Sequence, residues 1–167
     1  MITGSGRWYT VGTYLETSTY TGLTMKPARH GLVPGDIAWD DCDCDGLLAV
    51  TLPRVYLSEL FPEETDAVIG GKCKAPYEVG EFTVSVIRCA PTAEPPELAP
   101  PAADLDTAAG VLMQDIAETM DALSRALCLY QDTEMISDYL ITPAESAGPE
   151  GHCVGFTLRV RISLERL

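Results

Sequence analysis

The stretch LDTAAGVLMQDIAETMDALSRAL, residues 105–127, decides the fold. Within it Leu105, Ala109, Leu112, Ile116, Met120, Leu123 and Leu127 recur at spacings of three and four. That spacing lays one apolar stripe along a helix of about six turns. Asp104 or Asp106 stands where an N-terminal cap is needed. Asp115, Glu118, Asp121 and Arg125 fall off the stripe and are expected to face solvent. The pattern predicts a helix over about 105–130.

On both sides of this helix the period changes from helical to alternating. Downstream, Phe156, Leu158, Val160, Ile162 and Leu164 alternate with Thr157, Arg159, Arg161 and Ser163, which makes a strand with an apolar and a polar side. Tyr139 to Thr142 reads as a short strand, and Gly148 to Gly155 as a turn-rich connection. Upstream, Pro91, Pro95, Pro96, Pro100 and Pro101 make residues 90–103 an extended crossover. Before it, Phe82, Val84 and Val86 alternate with Glu81, Thr83 and Ser85 in a strand from about Tyr77 to Cys89. A further strand runs from Leu47 to Leu57, where Pro53 marks a sheet edge or a bulge. Residues 58–76 read as loop. The expected class is α+β: an antiparallel or mixed sheet with one long helix across its apolar face.

Residues 1–35 differ in texture. They are rich in Thr, Gly and Tyr, and the alternating stretch from Trp8 to Leu15 reads as a strand. An N-terminal arm or hairpin, packed on another surface, is the expectation for 1–35, ahead of a single domain over 36–167.

Composition narrows the partners. Hydrophobic residues at 46% against 22% charged describe an ordinary globular chain. Eleven Lys and Arg against 25 Asp and Glu leave a net charge of −14. Such a chain lacks the cations that neutralise nucleic-acid phosphates or dock on anionic membranes. No apolar run approaches the roughly 20 residues that span a bilayer. The opening Met1 to Arg7 lacks the charged and apolar regions of an export signal, so the six cysteines are expected to be reduced thiols.

The sharpest local motif is Asp41-Cys42-Asp43-Cys44-Asp45-Gly46. Asp41, Asp43 and Asp45 match the first half of a calcium loop, but the twelfth position, which needs a bidentate Glu, is Leu52. A solvated acidic turn is the ordinary alternative. Cys42, Cys44, Cys73 and Cys153 are weak zinc candidates, because only one C-x-C pair is present and His152 adjoins Cys153. A disulfide between loop cysteines is the other use for them. With two histidines and no G-x-S-x-G, H-E-x-x-H or P-loop, neither an enzyme nor a bound cofactor is expected. Arg159 and Arg161, with Trp8 and Tyr9, are candidates for contact between copies. Phe61, Glu63, Glu64, Glu94 and Glu97, on the loops 58–76 and 90–103, are candidates for contact with other partners.

One ordered set of motifs carries a resemblance. It comprises Trp39-Asp40-Asp41-Cys42 before an edge-like strand, Ile87-Arg88-Cys89-Ala90-Pro91 closing the next, the Pro-rich crossover and the long helix. It ends with Gly148-Pro149-Glu150-Gly151-His152-Cys153-Val154-Gly155 opening a final strand. Over about residues 36–165 the chain resembles the small head–tail-junction proteins of siphophages infecting actinobacteria, most of all their tail terminators. The resemblance implies a virion protein, assembled in the host cytoplasm as a homo-oligomer, a hexameric ring. Such a ring caps the tail tube protein, receives the head–tail connector or stopper protein, and lets DNA pass through its channel without specific binding. A neck or head-completion subunit, or another tail-associated ring subunit, is the nearest alternative, and a calcium- or zinc-binding interaction module a more distant one. The chain departs from the family at His152, where a glycine is expected, and at residues 1–35, where an amphipathic opening helix is expected.

Overall fold

The computed structural model describes residues 6–35, 37, 46–65, 77–93, 99–150 and 152–165. Two helices lie on one face of a mixed six-stranded sheet. In chain order the elements are α1 (Arg7–Gly22), β1 (Arg29–Leu32), β2 (Leu47–Ser58), β3 (Tyr77–Cys89), α2 (Ala102–Asp132), β4 (Asp138–Ile141), β5 (Glu145–Glu150) and β6 (Cys153–Glu165). The sheet runs β1-β2-β3-β6-β4, with β5 also pairing β6. β1 is parallel to β2, and every other pairing is antiparallel. The α+β class expected from the residue pattern is the class observed.

The core forms where the alternating side chains meet the helical stripe. Phe82, Val84 and Val86 of β3 and Phe156, Leu158, Val160 and Ile162 of β6 share one buried cluster with Leu123 and Leu127 of α2. Fully burying side chains of this size stabilises by about 1.5–3 kcal/mol each. Pro53 does mark an irregularity: the β2–β3 register slips between Thr51 and Arg54, the mark of a bulge.

The N-terminal expectation is overturned. Trp8 to Leu15 is helical rather than extended, and α1 is part of the core rather than an arm. Val11 and Leu15, one helical turn apart, are buried on the sheet, and Thr19 continues the same side. Two close approaches seat the helix. A Cβ on Gly80 would lie 2.5 Å from the Trp8 ring, and one on Gly22 would lie 2.4 Å from Ala122 Cβ on α2. The end of α1 is held by Lys26, whose ammonium donates to the carbonyls of Tyr20 and Thr21, a cation on the negative end of the helix.

Two details of α2 also depart from expectation. Asp115, expected in solvent, is 1% exposed and paired with Arg88. Leu105, expected in the buried stripe, is 49% exposed, like its neighbours in the first turns of α2. The short strands β1 and β5 arise in segments whose residues gave no strand signal, while β4 falls within one residue of its expected span.

Candidate interaction surface

Among the described residues no helix packs on the other face of the sheet, and the strand register decides which side chains stand there. β2, β3 and β6 bring Arg54, Glu81 and Arg161 into one row, and Leu140 of β4 extends it. The Nε of Arg161 donates to Glu81 Oε2 at 2.7 Å, and the Nε of Arg54 lies 3.7 Å from Oε1. Arg54 also donates to Glu64 Oε2 at 3.0 Å and lies over the Tyr56 ring. Glu81 is 6% exposed, so its charge is held by the two guanidiniums rather than by water. The hydrogen bond to Glu81 raises the pKa of Arg161. Burial raises that of Tyr56, whose hydroxyl donates to the Pro62 carbonyl and ties the loop after β2 to the sheet.

Beside this row the face is small and polar. Thr51, Thr83 and Arg159 form the next register line, and Ala49, Ser85 and Thr157 the one after. Among the described residues, Ser85 Oγ and Ser58 Oγ are buried with no hydrogen-bond partner. Arg159 is exposed; its backbone amide donates to the Thr142 hydroxyl and its carbonyl accepts from the Thr142 amide.

The residues singled out from the sequence separate accordingly. Arg161 is ion-paired with Glu81 within its own chain, whereas Arg159 is open to solvent. Trp8 is not a surface group: its indole donates to Glu78 and its ring packs against Phe82. Tyr9, one residue on, points outward at 70% exposure. In the loop after β2, Phe61 is half-buried, Glu63 is exposed and Glu64 is committed to Arg54. Glu94 and Glu97 lie outside the described residues, as do Asp41, Asp43, Asp45, Cys42, Cys44 and Cys73. Cys153 is buried and disulfide-bonded, which corrects both the expectation of reduced thiols and its candidacy as a zinc ligand. Cys128 is an exposed free thiol, and Cys89 forms no disulfide.

The structure also assembles groups that the spacing could not reveal. Glu81 reads as one polar position in an alternating strand, and only the register places it between arginines 54 and 161. The His30 ring stacks on Tyr20 and meets the Glu16 carboxylate through Nδ1. Near the start of α2, Ala108, Val111 and Leu112 line a groove of about 460 Å³ with Met25, Arg88 and Val154. Among the described residues, no group of three or more His, Cys, Asp or Glu is placed to hold a metal ion. Nor is any helix among them long and apolar enough to cross a membrane. The helix-free face carries a row of alternating charge, Arg54, Glu81 and Arg161, with half-exposed Leu140 at its end. No protein-family model matches the chain, and no curated protein matches it significantly.

Proposed function

We propose that the chain is a structural subunit of a phage head–tail junction, a tail terminator that closes into a ring on the tail tube and receives the head connector. The observation that carries this reading is α1. The resemblance implies an amphipathic helix at the start of the protein, residues 1–35 have a strand-like texture, and the chain nonetheless opens on a 16-residue helix seated on the sheet. That helix supports the reading.

Other features support the same reading. A ring requires two different, complementary surfaces on one rigid unit, and the unit here is a single sheet braced by two helices on one face. The loop after β2 presents Leu60 at 67% exposure and Glu63 beside it, a surface suited to the tube or connector. A net charge of −14 suits a channel wall along which DNA slides without being held. The role is geometric rather than catalytic, and it belongs in the virion.

Native mass spectrometry and electron microscopy of the purified protein test the reading. The expected result is a closed ring of one stoichiometry, six copies, that binds the end of the tail tube. A chain that stays monomeric both alone and with tube protein overturns it. A ring that binds only head-side proteins makes the chain a neck subunit instead.

A further inference from the structure

Cys89 and Cys153 face each other across the two inner strands of the sheet. The β3–β6 register sets them directly opposite, at the end where β6 begins. The Ala90 amide donates to the His152 carbonyl at 2.7 Å, so that neighbouring pair is a hydrogen-bonded one. Pairs alternate along an antiparallel ladder, which makes Cys89 and Cys153 a non-hydrogen-bonded pair, the closer kind. Cα atoms in such a pair stand about 4.5 Å apart, within the roughly 4.4–6.8 Å that a disulfide spans. Both side chains belong to one small apolar cluster with Ile37, Leu47 and Ile87. The pairing runs unbroken from Tyr77 to Cys89, so the backbone itself holds the two cysteines together.

The two sulfurs are in different states. Cys153 is fully buried and disulfide-bonded, and its partner is neither Cys89 nor Cys128, which form no disulfide. Cys89 is half-buried and lines a groove of about 690 Å³ with His152, through which small reagents reach it. A thiol therefore lies opposite a buried disulfide to which it does not belong.

We propose that Cys89 and Cys153 form a thiol–disulfide exchange site. The Cys89 thiolate attacks Cys153 Sγ, and the bond from Cys153 to its first partner breaks as the Cys89–Cys153 bond forms. The electron pair leaves on the first partner's sulfur, which takes up the proton that Cys89 gave up. One disulfide and one thiol are present before and after, so no oxidant or reductant is consumed. The exchange has a structural result. The first state ties Cys153 to another part of the chain, and the second staples β3 to β6 at the end of their ladder. Cys128 is out of reach, since it lies about 30 Å along α2 from Ala108, at roughly 1.5 Å per residue, and Ala108 lines the Cys89 groove. The site is independent of the ring reading above and stands or falls without it.

Disulfide mapping tests it. Folded protein is held at about pH 8, where thiolates form, then quenched with acid, alkylated, digested without reduction and read by mass spectrometry. The expected result is a Cys89–Cys153 peptide that grows with time, while the first partner of Cys153 becomes alkylated in equal amount. Cys128 stays alkylated throughout. In urea the register is lost, so the Cys89–Cys153 link should form on the order of tenfold more slowly, and links to Cys128 should appear. Cys89→Ser, shown to be folded by circular dichroism, should keep Cys153 on its first partner alone. If Cys153 in folded wild type never joins Cys89, or carries no disulfide at all, the exchange site is wrong. It is equally wrong if the link forms as fast in urea, or if the first partner is released as fast in folded Cys89→Ser. Should that variant fail to fold, the wild-type time course and its urea control decide alone.

Discussion

Arg88 on β3 grips Asp115 on α2 with both prongs of its guanidinium, Nε to Oδ2 at 2.8 Å and Nη2 to Oδ1 at 3.0 Å. The same Nη2 donates to the Met25 carbonyl, so one side chain joins the sheet, the long helix and the segment leading from α1. A paired buried charge contributes little net stability, but removing one partner strands the other. Asp115→Ala is expected to cost about 3–5 kcal/mol and to lower Tm by on the order of 10 °C. Unchanged thermal unfolding would show that the pair does not hold α2 in place.

The row on the helix-free face behaves in the same way at lower stakes, because Arg161 is 27% exposed at its side chain. Glu81→Ala leaves two guanidiniums facing each other and is expected to cost about 2 kcal/mol in urea unfolding. Replacing both Glu81 and Arg161 with Leu should recover most of that loss. A double variant as unstable as the sum of its single changes would count against the pairing.

Gly22 has no room for a methyl group, since its Cβ would sit 2.4 Å from that of Ala122. Gly22→Ala is expected to destabilise by about 1–3 kcal/mol through overpacking. Ala122→Gly on the other helix should relieve part of it, although a mid-helix glycine itself costs about 1 kcal/mol. Additive losses in denaturant unfolding would mean that the helices do not touch there.

Glu118 gives the fold a pH dependence. Its pKa is held below 4.5 first by the Gln114 side-chain amide, then by the hydroxyl and backbone amide of Thr24. A carboxylate whose folded pKa is depressed adds stability that is complete above its unfolded pKa and fades as pH falls through the folded value. Glu118→Gln is therefore expected to cost on the order of 1 kcal/mol at about pH 6. That difference should shrink as the medium is taken to about pH 3. A constant difference across that range would exclude ionisation as its source.

The parts of the fold legible in the residues are those with an unbroken period. The alternation around Phe82 gave β3 at its observed limits, and that around Leu158 gave the body of β6 with its polar and apolar sides. α1 was illegible because Trp8, Tyr9, Thr10 and Val11 favour strands locally, while the helix is selected by what Val11 and Leu15 pack against. β5, with Gly148 and Pro149 inside it, is a strand because β6 pairs it and not because its residues prefer one. The surface was legible only as a list of residue types. Arg159 and Arg161 look alike two positions apart, and only the register sends one to Glu81 and leaves the other exposed. Asp115 reads as a solvent residue until Arg88 is brought beside it from another element.

The central strand β3 is flanked by β2 and by β6, and Tyr77 pairs with Glu165 across nearly the whole span of α2, β4 and β5. On a ribosome adding roughly 5–20 residues per second, the chain from β3 to the end of β6 takes roughly 4–15 s to appear. During that interval the inner edge of β3 has no partner strand, and Phe82, Val84 and Val86 lack the β6 half of their core. The nascent protein is then an incomplete sheet, with one long edge of β3 open to any other strand until β6 emerges.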